Sequence, residues 1–152
     1  MQLALAGLRR HPVLLCGPAC PDALARLERF FEVEMENAPL DDATLKARLG
    51  GKAALIATGT TGIDARFLVG LPYLKAVCKI GPAHEDIDLD ACTRAGVMAT
   101  NTPDLGLGDA ARREMQMIAV ENLIAAFGFG RIGGHPKNLL NTELRCMLGC
   151  CI

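Results

Sequence analysis

The sequence predicts an α/β fold: a doubly wound, five-stranded parallel sheet with helices on both faces, three layers in all. Two observations lead there. Five apolar runs of strand length recur along the chain, with segments of helical length between them. Several of the runs are apolar at nearly every position, which is the pattern of strands buried on both faces and so of a parallel sheet.

The strands expected in order are "PVLLCG" (12–17), "FEVEME" (31–36), "AALIAT" (53–58), "LKAVCKI" (74–80) and "GVMATN" (96–101). The first crossover is "PDALARLERF" (21–30), where Pro21 and Asp22 suit a first helical turn because proline gives up no hydrogen bond there. The second is "DDATLKARLG" (41–50), with paired acids at its start and Gly50 at its end. "GIDARFLVG" (62–70) and "DIDLDACTRAG" (86–96) supply the remaining two. With right-handed crossovers these elements build an open sheet of flavodoxin-like size.

Composition bounds the function. A chain of 152 residues with 51% hydrophobic and 22% charged side chains fits one domain with a real core, which excludes disorder. The formal net charge of -1, with Lys and Arg scattered, provides no basic field, so neither nucleic acid nor an anionic membrane surface is an expected partner. In "MQLALAGLRRHP" the arginines follow a short apolar run, the reverse of a signal peptide, and no stretch approaches the ~20 apolar residues of a membrane span. The expectation is a soluble, cytoplasmic protein.

Seven cysteines invite a metal reading, with Cys16 and Cys20 as C-x3-C and Cys146, Cys150 and Cys151 near the end. No second close pair of Cys or His completes a tetrahedral zinc site, so no metal is expected. An odd count without a secretion signal favours reduced thiols, with Cys78 a buried strand residue. The terminal "GCCI" is not a prenylation box, because Gly149 stands where the lipidated cysteine belongs.

In an open parallel sheet, ligands bind outside the carboxyl ends of the strands, where strand order reverses. The loops there are "GPACP" after the first strand, "TGTTG" (58–62) after the third and "GPAHED" (81–86) after the fourth. Glycine lets a backbone turn tightly and approach a ligand, so that main-chain N–H groups converge on an anion. The candidate substrate-binding residues are therefore Gly59, Thr60, Thr61, Gly81, Ala83 and His84. Pro82, between them, has no N–H to give. "TGTTG" is not a flavin phosphate loop, since it follows the third strand and the chain has one Tyr and no Trp to stack on a flavin. A phosphoacceptor receiver is also disfavoured, because no Asp ends the third strand.

The stretch "LKAVCKIGPAHEDIDLDACTRAGVMATNTPD" resembles the D-isomer-specific 2-hydroxyacid dehydrogenases. Leu74, Lys75 and Val77 precede a Gly loop, and Ile87-Asp88, Ala91-Cys92, Gly96-Val97 and Asn101-Thr102-Pro103 follow in the order that family uses, with the likeness extending over 12–104. The resemblance implies a flavodoxin-like substrate domain, completed by a returning helix, with an NAD(P)-binding domain inserted after the Asn-Thr-Pro. Here only "LGLGD" (105–109) bridges to a helix over 110–128 whose Arg112, Met115, Ala119 and Asn122 fit the returning one, and 129–152 is a tail. The whole chain, 1–152, is then one substrate-binding domain lacking the inserted cofactor domain. The resemblance places the catalytic Arg, Glu and His in or beside that missing domain, so no catalytic residue is expected here. His84 does not match the family's catalytic His.

"GFGRIGG" places Gly128, Gly130 and Gly133 in the order of a dinucleotide fingerprint, yet helical sequence precedes it where a strand is required. A helix C-cap with a glycine-rich tail accounts for it better. No cofactor is expected in this chain, although the resemblance implies NAD or NADP for a complete family member. The function expected is an isolated substrate-binding domain, inactive alone, holding a small 2-keto or 2-hydroxy acid weakly. The alternative is a non-catalytic interaction or regulatory module. "MQMIAVENLIAAF" (115–127) is apolar over more than one stripe, so two faces want burial. A homodimer is the expectation from that pattern, and the short "LGLGD" connection makes exchange of the helix between chains one form it could take.

Overall fold

Strands and helices alternate through the chain in the computed structural model, which describes residues 10–58, 62–129 and 135–144. The elements are β1 (His11–Cys16), α1 (Pro21–Glu28), β2 (Phe31–Glu36), α2 (Asp42–Leu49), β3 (Ala54–Ala57), α3 (Ala65–Leu68), β4 (Ala76–Lys79), α4 (Leu89–Ala95), β5 (Met98–Thr100) and α5 (Asp109–Ala126). All four strand pairings are parallel, in the order β2-β1-β3-β4-β5. This is the expected doubly wound, three-layer arrangement, with the strand order reversing between β1 and β3.

Side-chain alternation along each strand divides the core in two. Val13, Leu15, Ile56, Ala76 and Cys78 face one side, where they meet Leu27 of α1 and Ala119, Val120 and Leu123 of α5. Leu14, Leu55, Ala57 and Val77 face the other, against Leu45 and Leu49 of α2, Phe67 of α3 and Cys92 of α4. The central strands are therefore wetted on neither face, which is why they read as continuous apolar runs.

The helix termini follow local chemistry. Pro21 occupies the first turn of α1, and Asp41, Asp64 and Asp88 each accept a backbone N–H at the start of α2, α3 and α4. Several spans differ from the sequence expectation, two of them for local reasons. The segment expected to be helical over 62–70 forms only a single turn, because Ile63 is drawn into a parallel bridge with Ile87 and Val69 is already extended. Strand β5 starts at Met98 rather than at 96, because Gly96, at φ 73°, is the left-handed cap of α4.

Helix α5 starts at Asp109, one residue inside the expected linker, and packs on α1, β3, β4 and β5 of its own chain. The stretch 135–144, expected as tail, instead returns along β5. Leu140 N–H bonds to Ala99 O at 2.8 Å, and Asn101 N–H to Asn138 O at 3.4 Å. Buried Asn141 then accepts from Ala99 N–H at 2.9 Å and donates to Val97 O at 2.7 Å. Its amide substitutes for the next strand, so the backbone at this sheet edge is hydrogen-bonded. Among the described residues, no helix is long and apolar enough to cross a membrane.

Candidate functional site

The crevice opens at the carboxyl ends of β1, β3 and β4. Gly17 follows β1 at φ 112°, and a Cβ there would stand 2.7 Å from the Thr58 hydroxyl that follows β3. Glycine is thus required twice over, by its backbone angle and by the close approach of the two loops. Two hollows flank this contact. One, of about 370 Å³, is lined by Cys16, Asn37, Pro39, Leu45 and Thr58. The other, of about 400 Å³, is lined by Pro18, Thr58, Ile80, Leu107, Arg112 and Gln116.

The loops after β3 and β4 run side by side, because Ile63 N–H bonds to Asp86 O at 3.0 Å and Asp88 N–H returns to Ile63 O at 2.8 Å. Lys79, at the end of β4, is only 5% exposed, and its ammonium lies 3.0 Å from the Asp86 carboxylate. That ion pair ties the far end of the Gly81–Asp86 loop to the strand that launches it. Of the six residues the sequence points to, Gly59, Thr60 and Thr61 lie outside the described residues.

The other three have distinct roles. Gly81 turns at φ 116°. Its N–H is donated to Thr102 Oγ1 at 2.7 Å and its carbonyl accepts Thr102 N–H at 3.1 Å. Its donor is therefore committed to holding the loop. The N–H groups of Ala83 and His84 have no hydrogen-bond partner among the described residues. The His84 Nδ1 lies 3.1 Å from Pro82 O, and since a carbonyl can only accept, Nδ1 carries the proton. Asn101 Nδ2 donates to the same carbonyl at 2.9 Å.

Helix α5 closes the site from the side. Buried Gln116 accepts from Cys20 N–H at 2.7 Å and donates to Pro18 O at 2.9 Å, fixing the loop after β1. Asn122 donates to Asn101 O and to Asn138 Oδ1, both at 3.2 Å. Arg112 reaches the second hollow from the first turn of α5, paired only loosely with Asp109 at 3.7 Å. Sequence reasoning passes over the roles of Gln116 and Thr102. The signal is available for Gln116, since an amide inside an apolar helix stretch needs a partner if buried.

Burial disfavours the thiolate in three of the four described cysteines. Burial pushes the Cys16 thiol above its ordinary range, and Arg48 offsets that only in part. Burial raises Cys78 to about 12 and Cys92 to about 11. The four described cysteines are free, with Cys78 buried in β4 as expected. Among the described residues no three His, Cys, Asp or Glu side chains gather as a metal site would require.

Of the three fingerprint glycines, only the first falls among the described residues. Gly128, at φ 74°, donates its N–H to Ala125 O at 3.0 Å, and Phe129 N–H reaches Ile124 O at 3.1 Å. This is a helix C-cap. An 18-residue helix enters it, where a dinucleotide fingerprint needs a strand, so Gly128 serves as the end of that helix. Gly130 and Gly133 lie outside the described residues.

The family model described as D-isomer specific 2-hydroxyacid dehydrogenase, catalytic domain, matches residues 13–141. The chain is 28% identical over 150 residues to a glyoxylate reductase of Aeropyrum pernix, covering 91% of this chain and 45% of that protein. It is 31% identical over 106 residues to a D-3-phosphoglycerate dehydrogenase of Mycobacterium bovis, covering 70% and 20%. Among solved structures, a Polaromonas protein described as a D-isomer specific 2-hydroxyacid dehydrogenase superposes with a TM-score of 0.58 at 26% identity, over 62% of this chain and 31% of that one. A Thermus thermophilus protein does so at 0.55 and 32% identity, over 60% and 30%. The chain thus spans less than half the length of each of these relatives. With the match running from β1 to the strand-like return at Asn141, the chain belongs to the D-isomer specific 2-hydroxyacid dehydrogenase family.

Proposed function

We propose that this chain is the acid-binding half of such a dehydrogenase, holding a small 2-keto or 2-hydroxy acid in the crevice without transferring hydride by itself. The observation that carries the reading is the connection after β5. Asn101-Thr102-Pro103 leads through an exposed stretch directly into α5, with no second domain between them to bring a nicotinamide to the crevice. The N–H groups of Ala83 and His84, which have no hydrogen-bond partner among the described residues, suit an oxygen of such an acid. Hydride transfer additionally needs a general acid and the nicotinamide itself.

The experiment is to incubate the purified chain with NADH and a panel of 2-keto acids and follow absorbance. The reading predicts no sustained oxidation and no saturable NADH binding by calorimetry. Sustained, cofactor-dependent turnover would overturn it, as would micromolar NADH binding abolished by Gly130→Asp.

A second reading, self-association, is favoured by the outer face of α5. Met117, Ile118 and Ala125 remain only half-buried there, flooring a groove of about 550 Å³ with Glu114 on the helix side and Lys137 and His135 on the other. A two-fold axis parallel to α5 would set each acidic wall against the basic wall of a second copy, burying the apolar floors together. Light scattering tests this. A mass of one chain, unchanged on tenfold concentration, would contradict it.

A further inference from the structure

The residues predicted from sequence lie around the loops after β3 and β4, and none of them supplies a positive charge. The second hollow of the crevice contains one. It lies on the α5 side of Thr58, where the turn 106–108 and the first part of α5 wall off the carboxyl ends of β1, β3 and β4. Its lining is mostly apolar, from Pro18, Ile80, Leu107 and Met115, and it includes Arg112 and Thr58, whose side chains can grip an anion, beside Gln116, already committed to the loop after β1. At about 400 Å³ it falls in the size range of small-molecule pockets, and apolar walls with a few orienting polar groups are their usual make-up.

We propose that this hollow binds the carboxylate of a small organic monoacid, with Arg112 as its countercharge, Thr58 as a hydroxyl partner and the apolar wall receiving the acid's side chain. The proposal rests on the reading that the chain binds such acids, and it names the group that holds them. Arg112 is available for the task. Its contact with Asp109 is 3.7 Å long, and the two side chains are 59% and 103% exposed, so little is lost when an incoming carboxylate replaces it. A guanidinium presents two parallel N–H donors that match a carboxylate. One cation in an apolar hollow suits a monoanion with a hydrocarbon tail better than a polyphosphate. Leu107 is fully exposed and flanked by Gly106 and Gly108 at φ 90° and 105°, so its side chain stands at the rim where an apolar tail would arrive.

The test is a titration of the ¹⁵N-labelled chain with glyoxylate and with the bulkier 2-oxo-4-methylpentanoate, repeated on Arg112→Gln, Arg112→Lys and Thr58→Val. Arg112 is exposed, so its variants should melt with the parent, and thermal melts verify this. The expected result is tighter binding of the branched acid, with affinity for both falling about tenfold or more in Arg112→Gln, partly restored in Arg112→Lys, and lowered less in Thr58→Val. Unchanged affinity in Arg112→Gln, with the parent still binding, would overturn the Arg112 assignment and leave the acid-binding reading standing. No saturable binding to the parent would overturn both.

Discussion

Gly81 and Thr102 hold each other by two hydrogen bonds, the glycine N–H to the threonine hydroxyl at 2.7 Å and the threonine N–H to the glycine carbonyl at 3.1 Å. One residue opens the loop after β4, and the other lies just past β5. The pair therefore joins the loop that offers Ala83 and His84 to the connection that leads into α5.

Thr102 is fully buried, so Thr102→Val leaves the Gly81 N–H without its acceptor. The expected cost is about 1–3 kcal/mol, or about 2–4 °C of melting temperature per kcal/mol for a chain of this size. Thr102→Ser keeps the hydroxyl and should stay close to the parent. Thermal melts together with exchange of the Gly81 amide decide it: equal stability and protection in Val and Ser variants would show that the hydroxyl bond contributes nothing.

Gly17→Ala introduces two penalties at once, a strained φ of 112° and a Cβ 2.7 Å from Thr58 Oγ1. About 1–3 kcal/mol of destabilisation is expected from the backbone alone. Thr58→Ala removes the oxygen that the new Cβ would meet, so the double variant should recover the steric part and retain the backbone part. Chemical denaturation of the four proteins gives the coupling directly; strict additivity would mean that the two loops do not touch as described.

The acid side of the stability profile is set in part beside β2. Lys52, and then Arg48, hold the Glu34 carboxyl below its ordinary 4.5, and Arg48 with the Ala38 N–H does the same for Glu36. A carboxylate with a depressed folded-state pKa stabilises fully above its unfolded value, and that stabilisation is lost as pH falls through the folded one. Arg48→Met should therefore lower the melting temperature near pH 7 and lose its effect well below pH 4. A constant difference across that range would assign Arg48 a packing role instead.

The sheet was legible because buried parallel strands must be apolar throughout, and Leu14, Leu55 and Val77 serve one layer while Val13, Ile56 and Cys78 serve the other. The single-turn α3 was not legible, since the bridge from Ile63 to Ile87 competes with helix at residues far apart in sequence. The same holds for Asn141: nothing near it in the chain announces that its amide will complete the edge of β5. At the site, the glycine loops were visible as loops, but the commitment of the Gly81 N–H depends on Thr102, and the position of Arg112 depends on where α5 returns. Both are consequences of packing between distant segments, which local pattern does not encode.

The most direct test of the account maps where a small acid touches the chain, by following backbone amide shifts as glyoxylate is added. The account predicts saturable shifts of the Ala83 and His84 amides and of the loop fixed by Gln116, with the outer face of α5 unaffected and NADH causing no further change. Absence of saturable shifts at the crevice, or shifts confined to Met117, Ile118 and Ala125, would contradict it.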